Sequence, residues 1–416
     1  MSSPELVRTV ARSRALALPE KLARRALEGR LSDLSWGRVV LRDSLGTRSF
    51  GSSEPQATIS VRDPAFYAAV ALRGSVGAGE SYMRGDWTCD DLVALARILV
   101  RNRAQMQGLE GGLARAGAAA LRWFHARRGN TRTGSRANIA AHYDLGNEFY
   151  RLWLDETMMY SCAVFPRPGM SLHQAQLERL ERICRKLDLR PGEHLLEIGT
   201  GWGGMALHAA REHGCRVTTT TISREQHAFA SERIARAGLA GQVQVLCEDY
   251  RDLAGRYDKL VSIEMVEAVG ERWFDTYFEK CSALLEAHGA MLLQSITIRD
   301  QYYEEALRSV DFIQRYVFPG ACIPSIAALT ERVARCTDMT LFGLEDIGPH
   351  YAATLRAWRE NFHAHLPQVR ALGFDETFVR LWEFYLCYCE GGFQERAIGD
   401  VQLLLTKPLC RRAPLA

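Results

Sequence analysis

Long apolar runs are missing from this sequence: none approaches the ~20 residues that a helix needs to cross a bilayer. The N-terminus also lacks the apolar core of a secretory signal peptide, so we expect a cytoplasmic protein. Paired cysteine spacings are missing too. The eleven cysteines are scattered, and Cys387 and Cys389 are too close together for a CxxC motif. The expectation is a core with reduced thiols and no metal site.

A strong net charge is absent from the chain as a whole, which carries only +3, but the charge is unevenly distributed. Residues 1–137 hold 22 Lys/Arg against 12 Asp/Glu, a net of +10, and the remainder holds 30 against 37, a net of −7. A basic first third suggests an anionic partner, either nucleic acid or a membrane surface. The length allows two domains with sizeable cores.

The most informative stretch is an apolar run that breaks into a glycine-rich turn. Residues 195–198 predict a buried parallel strand, and residues 205–211 predict a helix. This arrangement places backbone N–H groups and a helix N-terminus beside a ligand. It predicts a nucleotide-cofactor site, with a purely structural turn as the alternative.

The glycines alone do not select the cofactor, because Gly199, Gly201 and Gly204 also satisfy the dinucleotide fingerprint. Glu197 lies two residues before the first glycine, as in the E/D-x-G-x-G motif of methyltransferases that use S-adenosylmethionine (SAM). The second predicted strand, residues 215–221, ends in threonines, whereas a nicotinamide site has Asp or Glu there for the ribose. We therefore expect SAM ahead of a nicotinamide or flavin.

Residues 1–128 are expected to form a basic α+β domain with a connecting helix. Residues 4–30 predict two short helices, with Pro19 in the first turn of the second and Gly29 at its end. Short strands and further helices should follow. The strands are predicted at residues 37–43, 47–50 and 57–63, and the helices at residues 64–76 and 90–107.

The connecting helix, residues 111–128, has an apolar face with aromatic residues and an opposite face with Arg115 and Arg122. Such a helix suits the surface of an anionic bilayer, and a helix packed between domains with solvated arginines is the alternative. Residues 129–136 form a polar linker and the domain boundary. Residues 137–416 are expected to form the second domain.

Strands and helices alternate through the second domain, which predicts a Rossmann-like, doubly wound and mostly parallel sheet. The strands are predicted at residues 195–198, 215–221, 243–247, 259–265 and 290–298, and the helices at residues 174–187, 205–211, 224–237 and 272–285. Ligands of such sheets bind at the carboxyl ends of the strands. Polar residues that we expect near these ends are Glu197, Thr221, Asp249, Glu267 and Gln294.

From residue 297 to about residue 397 the chain is expected to be mostly helical, before a last strand at residues 401–406. This region is rich in aromatic residues, which line an acyl pocket in one interpretation and form ordinary core in the other. They are Tyr302, Tyr303, Phe312, Tyr316, Phe318, Tyr351, Trp358, Tyr385 and Tyr388.

Several motifs in a fixed order together resemble the cyclopropane-fatty-acyl-phospholipid synthase family, which includes the mycolic acid cyclopropane synthases and methyltransferases. They are HYDLGN (142–147), YSCA (160–163), EIGTGWGG (197–204), TISREQ (221–226), DYRD (249–252), SIEMVEAVG (262–270) and FPGACIPS (318–325), with a looser match at ESYMRGDW (80–87). The resemblance covers about residues 138–408. It implies transfer of a SAM methyl group to the cis double bond of an unsaturated acyl chain in a phospholipid, forming a cyclopropane ring.

The resemblance also implies a role for individual residues. Those assigned to SAM are Tyr160 and Ser161 at its methionine end, Gly199, Gly201 and Gly203 along its backbone, Thr221, Ser223 and Gln226 around the ribose, and Asp249 and Tyr250 near the adenine. Those assigned to a bicarbonate ion in the active site are Cys162, Glu267, the backbone of Ile296, and Tyr351. Purely structural roles for Cys162, Glu267 and Tyr351 are the alternatives.

The sequence departs from the family pattern at two of these positions. Gln294 stands where the best-known members have His in the bicarbonate site, and Glu264 stands where many have Gly. Gln294 can still donate a hydrogen bond to an anion. Glu264 adds a carboxylate that either competes as the base or binds SAM.

The expected chemistry needs neither a metal nor a nucleophilic triad. An alkene attacks the sulfonium methyl group, and the resulting carbocation is stabilised by aromatic faces, each contributing about 0.5–2 kcal/mol. A base then removes one proton. Loss from the new methyl group with ring closure gives a cyclopropane, whereas proton loss without ring closure gives a methyl- or methylene-branched chain.

Two other classes of function are the alternatives to this one. A non-catalytic lipid-binding homologue is supported only by Gln294. A nucleic-acid methyltransferase should show a Pro-Cys nucleophile or an Asn-Pro-Pro-Tyr type motif after the fourth strand, and neither is present. The expected partners are therefore phospholipid acyl chains and, peripherally, an anionic membrane surface. The oligomeric state, a homodimer included, stays open.

Overall fold

A computed structural model describes residues 16–106 and 145–413 of the chain. These residues divide into two compact units: residues 16–106 together with Asp375–Phe384, and residues 145–374 together with 385–413. The expected helix at residues 111–128 and the linker at residues 129–136 lie outside the described residues. None of the helices in the described ranges is long and apolar enough to cross a membrane.

The first unit is a four-stranded sheet with helices, as the α+β pattern predicted. Its elements are α1 (Leu18–Ser32), β1 (Arg38–Asp43), β2 (Gly46–Gly51), β3 (Gln56–Val61), α2 (Ala65–Arg84), β4 (Trp87–Cys89), α3 (Leu92–Arg101) and α4 (Arg103–Met106). The strand order is β2-β1-β3-β4, with β1 antiparallel to β2 and parallel to β3. Two expectations were wrong: α1 continues past Gly29, and the short strand β4 was not predicted.

Helix α2 is longer than predicted and is broken by a glycine. Gly74 has φ +53° and ψ −130°, which is not helical, so the chain changes direction there. Beyond the break Gly77 packs against the preceding helical turns. A Cβ at Gly77 would lie 1.9 Å from the carbonyl oxygen of Ala69, so only glycine fits at this position.

The second unit is built on a seven-stranded sheet with the order β10-β11-β9-β8-β5-β6-β7. Its strands are β5 (His194–Ile198), β6 (Arg216–Thr220), β7 (Val243–Leu246), β8 (Tyr257–Ile263), β9 (Leu285–Ile298), β10 (Thr340–Asp346) and β11 (Ile398–Thr406). Only β11 runs antiparallel to its neighbours, so the predicted mostly parallel Rossmann-like sheet is confirmed. Strand β10 falls in a stretch that was expected to be helical, and that expectation was wrong.

Helices connect these strands and continue after β9. They are α5 (Asn147–Arg151), α6 (Leu172–Leu187), α7 (Gly204–His213), α8 (Arg224–Arg236), α9 (Phe274–Leu284), α10 (Asp300–Ala306), α11 (Phe312–Tyr316), α12 (Ile326–Cys336), α13 (Gly348–Ala364), α14 (Leu366–Ala371) and α15 (Glu376–Gln394). Both faces of the sheet are buried. Within β5, Leu195 belongs to one apolar cluster and Leu196 to the other, because successive strand residues point to opposite faces.

We expect Gly77→Ala to destabilise the protein, because its methyl group would overlap the Ala69 carbonyl oxygen and force the two turns apart, at a cost of about 1–3 kcal/mol. Gly29→Ala is the matched control. Gly29 lies in α1, where an added methyl group would have nothing within 4 Å, so alanine should be neutral or stabilising by up to ~1 kcal/mol. The free energy of unfolding in urea is the measurement, and equal values for the two variants would contradict the packing at Gly77.

Candidate active site

The glycine-rich turn between β5 and α7 adopts backbone conformations that favour glycine. Gly199, Gly201 and Gly203 have φ of +103°, +51° and +82°. A Cβ at Gly199 would meet the side chain of Met265 at 3.3 Å, whereas a Cβ at Gly201 would have nothing within 4 Å. The turn therefore leaves open space above Gly201, into which a ligand can approach the backbone.

Glu197, at the end of β5, is held by hydroxyl groups. Its Oε2 accepts a hydrogen bond from Thr219 Oγ1 at 2.6 Å, and that hydroxyl lies 2.7 Å from Thr200 Oγ1. Burial raises the pKa of Glu197 to about 8. The side chain thus joins the end of β5, the glycine-rich turn and β6.

Thr221, Ser223 and Gln226 come together at the carboxyl end of β6. Thr221 Oγ1 donates to Gln226 Oε1 at 2.8 Å and accepts from the Ser223 backbone N–H at 3.1 Å. Ser223 Oγ accepts from the Gln226 backbone N–H and caps α8. These residues therefore form one polar group that follows β6; the strand-end position predicted Thr221, and the family resemblance added Ser223 and Gln226.

Asp249 and Tyr250 follow β7, and they differ in whether the polar atoms of their side chains have hydrogen-bond partners. Both carboxylate oxygens of Asp249 accept hydrogen bonds from the Arg251 guanidinium, at 2.8 and 2.6 Å. The Tyr250 ring packs against Tyr277 with centroids 5.5 Å apart. Its buried hydroxyl has no hydrogen-bond partner among the described residues, so it is available to a ligand.

Tyr160 and Ser161 lie on the loop between α5 and α6. The Tyr160 hydroxyl is 2.8 Å from that of Tyr385, and its ring centroid lies 5.2 Å from Trp153 and 5.3 Å from Trp358. Ser161 is buried, and its hydroxyl finds no hydrogen-bond partner in the described parts of the chain. An unsatisfied buried hydroxyl of this kind is what a ligand-binding position would show without its ligand.

Glu264 forms the centre of a second group of polar residues. Its Oε1 accepts hydrogen bonds from the Cys162 backbone N–H and from Gln294 Nε2, both at 2.8 Å. Its Oε2 accepts from the Tyr351 hydroxyl at 2.6 Å. Three donors from three separate segments therefore hold one carboxylate in place.

The backbone at Glu264 explains why glycine suits this position. Its φ is +48°, in the left-handed region, where a non-glycine residue costs about 1–3 kcal/mol. Its backbone N–H donates to the Gln294 carbonyl oxygen at 2.8 Å, which keeps the residue in this conformation. A glutamate at this position has to be held by its surroundings, as the three hydrogen bonds to its carboxylate do.

The expected bicarbonate ion does not fit among these groups. The Cys162 N–H, the Gln294 amide and the Tyr351 hydroxyl all donate to Glu264. The Ile296 N–H instead donates to Glu267 Oε1 at 2.5 Å. The donors that the resemblance assigns to an exogenous anion are thus already occupied by carboxylates of the chain itself.

Glu267 lies beside this group but not at its centre. Its Oε1 also accepts from Ser295 Oγ at 2.9 Å, and its Oε2 is buried without a partner in the described residues. Burial, reinforced by the nearby Glu264 carboxylate, raises the pKa of Glu267 to about 8. Tyr351, which the resemblance places with Glu267 around one ion, donates its hydrogen bond to Glu264.

Asp400 is a member of this group that the sequence did not predict. It is fully buried, its Oδ2 accepts from Gln294 Nε2 at 3.0 Å, and its Oδ1 has no partner among the described residues. Burial, together with the charge of Glu264, raises the pKa of Asp400 well above its usual range. In the sequence, Asp400 directly precedes the strand predicted at residues 401–406. The structure places it inside β11, two residues after the strand begins.

A fully buried cation balances these carboxylates. Arg179, on α6, donates from Nε and Nη2 to Gln176 Oε1 at 3.1 and 3.0 Å. Gln176 Nε2 in turn donates to the Ser161 carbonyl oxygen at 2.9 Å. Both residues share the buried face of α6 with Leu180 and Ile183, so polar residues at apolar helical positions were the signal.

A chain of hydrogen bonds connects Lys186, through the side-chain amides of Gln402 and Gln294, to this group of carboxylates. Lys186 Nζ donates to Gln402 Oε1 at 2.6 Å, and Gln402 Nε2 donates to Gln294 Oε1 at 3.0 Å. Gln294 Nε2 then donates to Glu264 and Asp400. This sequence of hydrogen bonds fixes which end of the Gln294 amide faces the carboxylates.

Some of the aromatic residues after β9 surround the same region. Tyr351 stacks on Phe393 with centroids 4.3 Å apart and lies 6.0 Å from Trp358. Phe318 lies 6.1 Å from both Tyr160 and Tyr385. These rings border the site, whereas Phe312 and Tyr316 pack against each other.

The sheet topology, the glycine-rich turn and the polar group at the end of β6 define a SAM-dependent methyltransferase. Comparison with known proteins gives the family. The family model described as "Mycolic acid cyclopropane synthetase" matches residues 130–403, and the chain belongs to this family. It is a SAM-dependent methyltransferase that acts on lipid acyl chains, and the resemblance seen in the sequence is confirmed.

Individual relatives agree with this assignment. The chain is 34% identical over 387 residues to the tuberculostearic acid methyltransferase UfaA1 of Mycobacterium tuberculosis, covering 89% of this chain and 87% of that protein. It is 37% identical over 378 residues to the cyclopropane-fatty-acyl-phospholipid synthase of Escherichia coli K12, covering 89% and 92%. The crystal structure of mycolic acid cyclopropane synthase CmaA1 complexed with SAH and CTAB matches with a TM-score of 0.62 at 32% identity, covering 65% of this chain and 98% of that one.

We expect Gly201→Val to abolish SAM binding, because its side chain would fill the open space above the turn. Gly238→Val is the matched control, since Gly238 also has positive φ, +72°, and open space where a side chain would begin, but lies after α8. Both variants carry similar backbone strain, so both should fold alike. Calorimetric titration with SAM should show binding lost only in Gly201→Val, and equal affinities would contradict the assignment of the turn.

Proposed function

We propose that this enzyme transfers the methyl group of SAM to the cis double bond of an unsaturated acyl chain in a phospholipid and closes a cyclopropane ring. The observation that carries the methyl transfer and proton removal, whichever product forms, is the Glu264 carboxylate, a base fixed by three hydrogen bonds beside a group of aromatic rings. The name of the Escherichia coli relative supports the phospholipid substrate.

SAM supplies the electrophilic methyl group, and residues of the protein stabilise the carbocation that forms on the acyl chain. Attack by the alkene leaves a carbocation on the substrate. The faces of Tyr160, Trp153 and Trp358 lie close together in the loop and helices beside the site. Aromatic faces stabilise a cation without reacting with it, and a site that excludes water prevents its capture as an alcohol.

The proton that leaves the cation is taken by Glu264. Burial and the nearby carboxylates raise the pKa values of Asp400 and Glu267, which favours their protonated forms, so neither competes with Glu264 for the proton. The neighbouring buried Arg179 places positive charge beside the group. The C–H electron pair then closes the ring as the proton passes to the carboxylate.

A methyl- or methylene-branched product is the second candidate. Two observations favour it: Glu264 replaces the glycine expected from the family pattern, and one relative is named a tuberculostearic acid methyltransferase. Here a hydride shift first moves the cation to the carbon that bears the new methyl group. Loss of a proton from that methyl group then gives an exocyclic methylene, and loss from a chain carbon gives a methyl-branched alkene. Both unsaturated-branched and ring products keep one carbon from SAM and lose one proton, so they have equal mass.

The activity is tested by incubating the full chain with SAM and phospholipid vesicles that carry cis-monounsaturated acyl chains. Mass spectrometry should show addition of one CH₂, and proton NMR should then show the ring CH₂ instead of an exocyclic methylene. Olefinic methylene signals would assign the branched product, and Glu264→Gly combined with Gln294→His should then shift the mixture toward the ring. Lipid binding without any product would assign a non-catalytic homologue.

We expect Glu264→Gly to lower turnover by about 10²-fold or more in bicarbonate-free buffer, since it removes the base but not the SAM site. Added bicarbonate should restore part of the activity, because the truncation frees three donors and the space of a small anion. Glycine also relieves the left-handed strain, which offsets part of the loss of the three hydrogen bonds, so the variant should still fold.

Glu264→Gln is the control for this rescue. It keeps the side-chain volume but cannot accept the proton, so it should be inactive and should not respond to bicarbonate. SAM affinity should stay unchanged in both variants, which separates proton removal from cofactor binding. A wild-type enzyme that needs added bicarbonate, or an active Glu264→Gln, would show that Glu264 is not the base.

The basic first third of the chain is proposed to bring the enzyme to anionic membranes, with the net +10 of residues 1–137 as its support. Binding to vesicles of anionic phospholipid should weaken as salt rises, because surface charges act over about 8 Å at physiological salt. Arg122→Glu should weaken it further, and neutral vesicles are the control. Co-sedimentation that changes with neither the salt concentration nor the vesicle charge would contradict electrostatic binding to the membrane.

A further inference from the structure

A group of side chains with metal-binding chemistry lies between α6 and α7, apart from the active site. Cys184 comes from α6, and His208 and His213 come from α7. The Sγ atom and one nitrogen of each ring all lie within 4.8 Å of one another. Glu181, one helical turn before Cys184, places a carboxylate beside the two rings but lies outside this group of three.

The carboxylate and the two rings converge on one point. Glu181 Oε2 lies 3.4 Å from His208 Nε2 and 3.0 Å from His213 Nε2. In a tetrahedral zinc site with bonds of about 2.0–2.1 Å, neighbouring N and O ligands are about 3.3 Å apart, and S and N ligands are about 3.6 Å apart. The two measured distances are close to such edges, and the sulfur, which lies within 4.8 Å of the ring nitrogens, needs a shift of about 1.2 Å or less.

We propose that Cys184, His208 and His213 bind a structural zinc ion that joins α6 to α7, and that the Glu181 carboxylate, which contacts both rings, turns toward the ion as the fourth ligand. One thiolate, two imidazoles and one carboxylate make a four-ligand set of the types that zinc binds in closed tetrahedral sites. The position in the fold also suits a cation. His213 is the last residue of α7, where the carbonyl ends of the helix favour positive charge.

The site has a structural consequence rather than a catalytic one. Helix α7 begins at Gly204, directly after the SAM-binding turn, and ends at His213. An ion at the far end of this ten-residue helix is about 15 Å from the turn, too far to contact the reacting atoms. By joining α7 to α6, it stabilises the helix from which the glycine-rich turn projects.

The pattern was not visible in the sequence because the ligands come from two helices. Residues 181 and 184 are three positions apart on one helix, and 208 and 213 are five positions apart on the other, which matches no short metal motif. Cys184 is fully buried among apolar residues, and as a free thiol it would act as a small hydrophobic side chain. Metal binding is what would distinguish the two roles.

The test uses the full chain after chelation and dialysis, titrated with Co²⁺ as a spectroscopic substitute for zinc. We expect one equivalent of Co²⁺ to give the visible absorption of a tetrahedral ion and a thiolate-to-cobalt charge-transfer band. Zn²⁺ should displace it and should raise the melting temperature. Cys184→Ala should lose the charge-transfer band and weaken binding at least tenfold.

Cys281→Ala is the matched control, because Cys281 is equally buried in the other apolar cluster and should leave the spectrum unchanged. His213→Asn provides a variant near the surface in case Cys184→Ala does not fold, and it should also lose tight binding. A wild-type chain without a thiolate band would overturn the proposal. So would unchanged affinity in Cys184→Ala and His213→Asn.

Discussion

The hydrogen bonds to the Glu264 carboxylate are the interaction on which the rest of the active site depends. The residue has φ +48°, and its charge lies beside Asp400 and Glu267. Both features are unfavourable, and they persist only where the surroundings compensate for them. Donors from the loop after α5, from β9 and from α13 all end on this one side chain, so the three segments are held together by it.

The charge of this group is limited by protonation and balanced by a buried cation. Three carboxylates within one buried group cannot all be ionised without a large desolvation cost. Burial raises the pKa values of Asp400 and Glu267, which favours their neutral forms, and the buried Arg179 guanidinium offsets negative charge in the group.

Much of the sheet could be predicted from the sequence, because buried parallel strands form short apolar runs that alternate with helical patterns. The run at residues 195–198 is observed as His194–Ile198, and the run at 243–247 as Val243–Leu246. Strand β10 was missed because it is an exposed edge strand with a bulge near Gly343, so it lacks the apolar alternation of its neighbours.

The candidate site was predicted less completely than the sheet. The motif residues could be located, but which donor meets which acceptor depends on tertiary packing. Arg179 and Asp400 were missed because sequence patterns place charged residues at the surface, and only the packed structure shows a charge that is buried and compensated. The occupation of the expected anion position by Glu264 likewise follows from a backbone angle that no sequence pattern reports.

Gln294 and Glu264, the two departures from the family pattern, are linked through the hydrogen bonds that run from Lys186 through Gln402. A lysine ammonium only donates hydrogen bonds, so Lys186 fixes the oxygen of Gln402 toward itself and the nitrogen of Gln402 toward Gln294. The Gln294 nitrogen must then face the carboxylates. A histidine at this position would donate in only some of its tautomers, and its charge would change near neutral pH. The Gln294 amide donates in every state and therefore suits a carboxylate acceptor at Glu264, so the two departures from the family pattern, Gln in place of His and Glu in place of Gly, share one hydrogen bond.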